Sequence, residues 1–345
     1  MPTFVGAYSW TEVPATGITV IEEGAVTGTF TDIVNPFHLA LSPSGRTLYA
    51  ASNAPEGRVF ALTVGDDGSL TPLNDQPAEG AGTIHLLVHG GHVYATNHDS
   101  GEVVVFPVDD DESLGPVRQS VKHLGSGPNE LSQLGPHPHV TVPDPTGTRV
   151  LVPDKGNDQL YVYRLEEGLL VPHSQVHLGA GNGPRHLVFH PDGRHLYVVN
   201  ELVSTVTVCG YDPSTGALWT VGSAPTLPEG EDGWNAPSAI VLSADARFLY
   251  VANRGHESLT VLRVDKDGEH LEPVQNLRFS EEPFSTMPWD LVLDPSGTVL
   301  HLANQAAGAV VALTVDPETG LLSAEGAPAV EVPGAACLLP LSTRR

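Results

Sequence analysis

The residues of this chain best equipped for chemistry occupy two recurring positions. Directly after a proline that opens an apolar stretch stand Phe37, His139, Arg185, Ser238 and Trp289. Directly after the Asn or Asp that closes the following apolar stretch stand His98, Lys155, Glu201, Arg254 and Gln305. Around the turn Pro191-Asp192-Gly193, Arg185 precedes Asp192 by seven residues and Glu201 follows it by nine. If the two stretches form an antiparallel hairpin, both residues come to its open end as near neighbours. An Arg beside a Glu is more often a structural ion pair than a catalytic one, but several unlike charges on one rim favour a site. A rim of His, Arg, Glu and Arg on otherwise apolar hairpins suits a small anionic substrate, because the planar guanidinium fork binds phosphate or carboxylate bidentately.

The elements that must position these residues follow from a repeat. Proline, an alternating apolar stretch, a Pro/Asp/Gly turn and a second apolar stretch ending in Asn or Asp recur from Pro36, Pro138, Pro184, Pro237 and Pro288, with a worn copy from Gly82. Aligned on Tyr49, Tyr94, Leu151, Tyr197, Tyr250 and His301, the units are 45, 57, 46, 53 and 51 residues apart, a length that holds four short strands. The period-2 alternation is that of strands, and 36 Gly with 30 Pro would interrupt helices repeatedly. Hairpins such as YDPSTGAL (211–218) complete each unit. Radially repeated four-stranded units are the blades of a β-propeller. Six units leave both ends over: VPGAACLLPL (332–341) reads as an inner strand, and TFVGAYSW, GITVIEEG and AVTGTFTD as the three strands that complete its blade. The expectation is an all-β fold, one seven-bladed β-propeller over residues 1–345, closed by the N- and C-terminal strands in one blade.

Composition narrows the function. A formal charge of −25 argues against nucleic acid or an anionic membrane as a partner. Cys209 and Cys337 lie far apart in the repeat, so no disulfide framework is expected, and the opening residues lack a basic region and a long apolar run. The expectation is a cytoplasmic monomer or weak oligomer without cofactor. His137 and His139 share a strand face but have no third ligand at metal-site spacing, and His190 and His195, across the turn at the opposite end, read as surface residues, so no metal is expected. Gly179, Gly181 and Gly183 imitate a nucleotide fingerprint, yet Pro184 and a strand follow in place of a helix. No Gly-x-Ser-x-Gly elbow is present. The run Asp109 to Glu112 reads as a solvated turn, and Asn97, Asn200, Asn253 and Asn304 as strand-end turn residues.

HPHV (137–140), GPRHLVFHPDGRHLYVVNELVSTVTV (183–208), FLYVANRG (248–255) and LANQ (302–305) resemble the lactonase family of seven-bladed propellers over nearly the whole chain. The resemblance implies that Glu201, His139, Arg185 and Arg254 match that family's active-site set; from their rim positions, His98, Lys155, Ser238, Trp289 and Gln305 are expected to bind the substrate. It implies hydrolysis of a sugar lactone, with 6-phosphogluconolactone the leading substrate. Glu201 would activate water, His139 would handle the proton of the leaving alkoxide, and Arg185 with Arg254 would hold a phosphate or the oxyanion. Lactonization of a carboxymuconate and non-catalytic binding on the rim are the alternatives. Two positions depart from the family pattern: Lys155 lies in PDKGND (153–158), where DLG-D is expected, and His98 stands where an aromatic is expected.

Overall fold

In the computed structural model, which describes residues 2–11 and 15–341, seven antiparallel sheets form a ring. Six sheets follow chain order and are numbered along it, blades 1 to 6 spanning 36–77, 83–122, 142–177, 184–225, 236–278 and 288–331. Blade 4 serves as the pattern, with strands Pro184–Phe189, His195–Asn200, Thr205–Asp212 and Ala217–Pro225 running from the channel outward. In blade 6 the outer strand is split, Leu322–Ser323 and Ala329–Glu331 both pairing with Ala309–Val315. The seventh sheet joins the ends: Ala335–Pro340 lies innermost and pairs with Thr3–Ala7, followed by Thr16–Glu22 and Ala25–Val34. No described residue is helical, and no helix is long and apolar enough to cross a membrane. The interval of 57 residues between Tyr94 and Leu151 reflects a non-strand excursion over 123–141 before the short inner strand of blade 3.

Packing is between blades. Tyr250 and Val261 of blade 5 share one core with Leu291, Leu300 and Leu313 of blade 6, and Tyr49 and Val59 of blade 1 share another with Val93 and Val104 of blade 2. The repeated tyrosine explains its own recurrence. Tyr49, Tyr94, Tyr197 and Tyr250 bury their rings in these seams, and each hydroxyl donates to a backbone carbonyl of the next blade's outer hairpin, those of Glu112, Gly168, Gly268 and Gly320. Gly168 and Gly320 adopt φ of 78° and 70°, and a Cβ there would run into His92 and Phe248 respectively, so glycine suits the latch twice over.

Two expectations need correction. The turn is solvated at Asp109, Asp110 and Asp111 but not at Glu112, whose carbonyl accepts from Tyr49 and whose carboxylate accepts from Ser42 Oγ at 3.1 Å and Thr47 Oγ1 at 2.7 Å, pinning blade 2 to blade 1. Asn97, Asn200, Asn253 and Asn304 do end their strands, but they are buried. Asn97 Nδ2 donates to the Ala78 carbonyl, and Asn200 and Asn253 donate to Thr207 and Thr260 on the adjacent strand, because a short amide can satisfy backbone and hydroxyl groups that would otherwise be stranded inside.

Candidate active site

One irregularity of the inner hairpins aims the side chains at the channel. In every blade the first strand carries one more residue than the second opposite it. In blade 4 Pro184 pairs with Asn200 and His186 with Val199, leaving Arg185 unpaired in a bulge. The same shift falls at Phe37, Ile84, Trp289 and Ala336, between Pro237 and Ile240, and between the Pro138–Asp154 bridge and Val142. Because a bulge breaks the alternation of a strand, two successive residues can face the same space. Arg185 and His186, Phe37 and His38, and Trp289 and Asp290 all line the channel.

The second set of positions is fixed by a backbone clip. The N–H of the residue closing each second strand donates to the carbonyl just before the first strand: Tyr8 to Gly334, Asn53 to Asn35, His98 to Gly82, Lys155 to His137, Glu201 to Gly183 and Gln305 to Met287. Arg254 is held by sheet pairing with Ala236. Gly183 has φ of 64°, and a Cβ on it would lie 2.5 Å from Leu202, so the turn that presents Glu201 depends on glycine.

Together these positions enclose a cavity of about 150 Å³ lined by Tyr8, Trp10, Phe37, Asn53, Ile84, His98, Asp99, His139, Lys155, Arg185, Glu201, Arg254 and Trp289. One wall is aromatic. Tyr8 packs edge-on against Trp10 and Phe37 at ring separations of 5.3 and 5.0 Å, and Trp10 lies 4.8 Å from Trp289. The opposite wall is ionic. Glu201 takes Lys155 Nζ on one oxygen at 3.1 Å, and Arg185 Nε at 3.0 Å with Arg254 Nη2 at 2.9 Å on the other. Each arginine is anchored behind the pocket, Arg185 Nη1 to the Ser238 carbonyl and Arg254 Nε to the Ala236 carbonyl. The Arg254 guanidinium also lies 4.6 Å from the Trp289 ring centre.

The charges decide the chemistry. Burial alone would raise the Glu201 pKa, but Lys155, Arg254 and Arg185 outweigh it and hold the carboxyl far below the usual carboxylate range. Three cations against one carboxylate leave the cluster net positive. Burial, with Arg254 beside it, lowers Arg185 to about 9, still charged at neutral pH. His139 is buried, and burial, reinforced first by Arg185, pushes its pKa well below 6.5, so the ring is neutral; its Nδ1 has no hydrogen-bond partner. His98 is lowered to about 4, chiefly by burial, stacks on His137 at 4.6 Å and meets Asp99 through Nδ1 at 2.8 Å.

Of the nine residues expected here, seven line the cavity: Glu201, His139, Arg185, Arg254, His98, Lys155 and Trp289. Ser238 and Gln305 do not. Ser238 is fully buried behind Arg185, where its hydroxyl donates to the Pro288 carbonyl, and Gln305 sits behind Tyr8, donating to that residue's carbonyl at 2.8 Å. Tyr8, Trp10, Asn53, Ile84 and Asp99 line the cavity without having been expected there. Tyr8 and Asn53 hold the clip position of blades 7 and 1, so extending the repeat rule to those blades finds them. A wider cleft of about 890 Å³ adjoins through Glu201, but Glu229, Glu231 and Asp232 on its wall would repel an anion, so the smaller cavity is the candidate site.

Against this geometry, a family model described as Lactonase, 7-bladed beta-propeller matches residues 14–340. A 6-phosphogluconolactonase of Bacillus subtilis is 34% identical over 293 residues, covering 84% of this chain and 82% of that protein. Among solved structures, a protein from Lactobacillus plantarum superposes with a TM-score of 0.89 at 31% identity, covering 98% of each chain. The periplasmic gluconolactonase of Pseudomonas aeruginosa does so with a TM-score of 0.89 at 25% identity, covering 99% of each.

Proposed function

Because this chain belongs to the lactonase family of seven-bladed β-propellers, we propose that it hydrolyses a sugar lactone, 6-phosphogluconolactone, to 6-phosphogluconate in the cavity around Glu201. The observation that carries this reading is the convergence of Lys155, Arg185 and Arg254 on one carboxylate beside a neutral, unpartnered His139. A net positive, largely buried cluster recognises an anionic substrate, and the aromatic wall of Tyr8, Trp10 and Trp289 offers apolar contact to the sugar ring.

In this reading the proton chemistry moves from Glu201 to His139. A carboxylate stabilised by three cations is a weak proton acceptor, whereas a neutral imidazole can take a proton from water as that water attacks the lactone carbonyl. Burial is the main cause of the low imidazole pKa, and an anionic substrate placed against Arg185 and Lys155 offsets the positive field that adds to it, raising the basicity of His139 on binding. Arg185, the cation acting most strongly on His139, stabilises the tetrahedral oxyanion that forms beside it. When the ring C–O bond breaks, the imidazolium returns its proton to the leaving alkoxide. Glu201 acts as the clamp that holds the three cations together.

The test is an assay of purified protein on 6-phosphogluconolactone, gluconolactone and a carboxymuconate, with spontaneous lactone hydrolysis subtracted. Turnover of the phosphorylated lactone with the lowest KM is expected, and Arg254→Ala should raise that KM while Arg194→Ala, exposed at the far end of the hairpin, leaves it unchanged. Cyclization of the carboxymuconate without lactone hydrolysis would overturn the proposal. We further assign the protein to the cytoplasm as a monomer or weak oligomer, a reading supported by two free, buried cysteines. Cell fractionation and size-exclusion chromatography test it.

A further inference from the structure

At the end of blade 4 opposite the cavity, the turn His190-Pro-Asp-Gly-Arg-His195 brings two imidazoles onto one carboxylate oxygen. His190 and His195 face each other across the hairpin, joined by the His190 N–H to His195 carbonyl bond at 2.9 Å. Asp192 Oδ1 is spent on the backbone N–H groups of Arg194 and His195, at 2.7 and 3.1 Å. That leaves Oδ2, which lies 3.1 Å from His190 Nδ1 and 2.7 Å from His195 Nδ1. All three candidate ligand atoms lie within 4.8 Å of one another.

We propose that His190, Asp192 and His195 form a site for a divalent transition metal of the zinc class. Tetrahedral coordination with bonds of roughly 2.0–2.1 Å sets ligand atoms about 3.3 Å apart, and Asp192 Oδ2 already lies close to that separation from both imidazole nitrogens. The ligands are of borderline softness, two imidazole nitrogens and one carboxylate oxygen, a set that selects zinc, cobalt or nickel over calcium and magnesium. His190 Nδ1 lies 3.3 Å from the Asp192 N–H and 3.1 Å from Asp192 Oδ2, so an ion bound between nitrogen and oxygen would replace the backbone contact. The outer hairpin of blade 5 supplies the supporting group. Glu269 Oε1 lies 3.8 Å from His195 Nε2 and adds negative charge beside the site, while His195 Nδ1, which donates to Asp192 Oδ2 at 2.7 Å, would release that proton on binding the ion. The Asp192 carboxylate is partly open to solvent, so the fourth position falls to water, and the bound ion would fasten the inner turn of blade 4 to the hairpin of blade 5.

The experiment titrates the full chain with Zn²⁺ by calorimetry and with Co²⁺ by visible absorption at pH 7.5. One equivalent is expected, with Co²⁺ bands of low-coordinate geometry and a Zn²⁺-dependent rise in Tm. His190→Ala and His195→Ala should each weaken binding at least tenfold and abolish the Tm rise while leaving lactone hydrolysis unchanged. Asp192→Asn retains Oδ1 for the turn and serves as the deciding variant if a histidine replacement does not fold; it should show the same loss. Absence of Zn²⁺ binding by the wild-type protein, or binding that persists in Asp192→Asn and in the histidine variants, would overturn the proposal.

Discussion

Glu201→Gln separates a clamp from a base. Gln keeps the size of the side chain and one acceptor, but it leaves Lys155, Arg185 and Arg254 without their shared anion, in surroundings where the four side chains are at most 13% exposed. Removing one partner from a buried ion pair costs about 3–5 kcal/mol, because the remaining charge stays desolvated and unpaired. With an unfolding entropy of roughly 2 cal/mol/K per residue, a propeller of this size loses about 1.4 °C per kcal/mol, so Tm should fall by about 4–7 °C. Inorganic phosphate should then enter the cluster in place of the lost carboxylate and recover most of that fall, giving a larger increment than in the wild-type protein. Differential scanning fluorimetry with and without phosphate measures both effects. A base role alone would instead lower kcat by about 10²- to 10⁴-fold at unchanged Tm. A folded variant whose Tm stays within a degree of wild type and does not respond to phosphate would refute the clamp.

His139→Gln should lower kcat by about 10²- to 10⁴-fold with little change in KM, as loss of the proton acceptor requires. The imidazole acts in its neutral form and its pKa in the free protein lies well below 6.5, so kcat/KM should stay level through neutral pH and decline only in acid, as His139 becomes protonated; a limb at or above pH 6.5 contradicts the assignment. Deleting residues 335–345 removes the strand Ala335–Pro340 and exposes Thr3–Ala7 as an unpaired edge, so light scattering should report aggregation; a monomer with unchanged Tm would contradict the closure. Tyr250→Phe deletes the hydroxyl donated to Gly320, a loss of about 0.5–1.5 kcal/mol, and thermal melts should show a drop of about 1–2 °C.

The ring was legible because its causes are local and repeated. A strand of period 2, a Pro/Asp/Gly turn and an Asn stop recur within each unit, so strand order, hairpin register and even the joining of Ala335–Pro340 to Thr3–Ala7 can be read along the chain. The same regularity placed Arg185 near Glu201, since both belong to one hairpin. What depends on the match of two strands, or of two blades, was not legible. The single extra residue at Arg185 that turns both it and His186 into the channel leaves no mark on an alternating pattern, because alternation records one strand and a bulge is a mismatch between two. The attachment of Glu112 to Ser42 and Thr47, across 65 to 70 residues, is of the same kind. So is the meeting of Lys155 from blade 3 and Arg254 from blade 5 on Glu201 from blade 4, which holds that carboxyl far below the usual carboxylate range. Sequence determined which residue types reach the mouth and how many blades carry them there. Only the closed ring decided which charges share a carboxylate, because a pKa is set by distances across blades and by exclusion from water, and neither exists until the seams have packed.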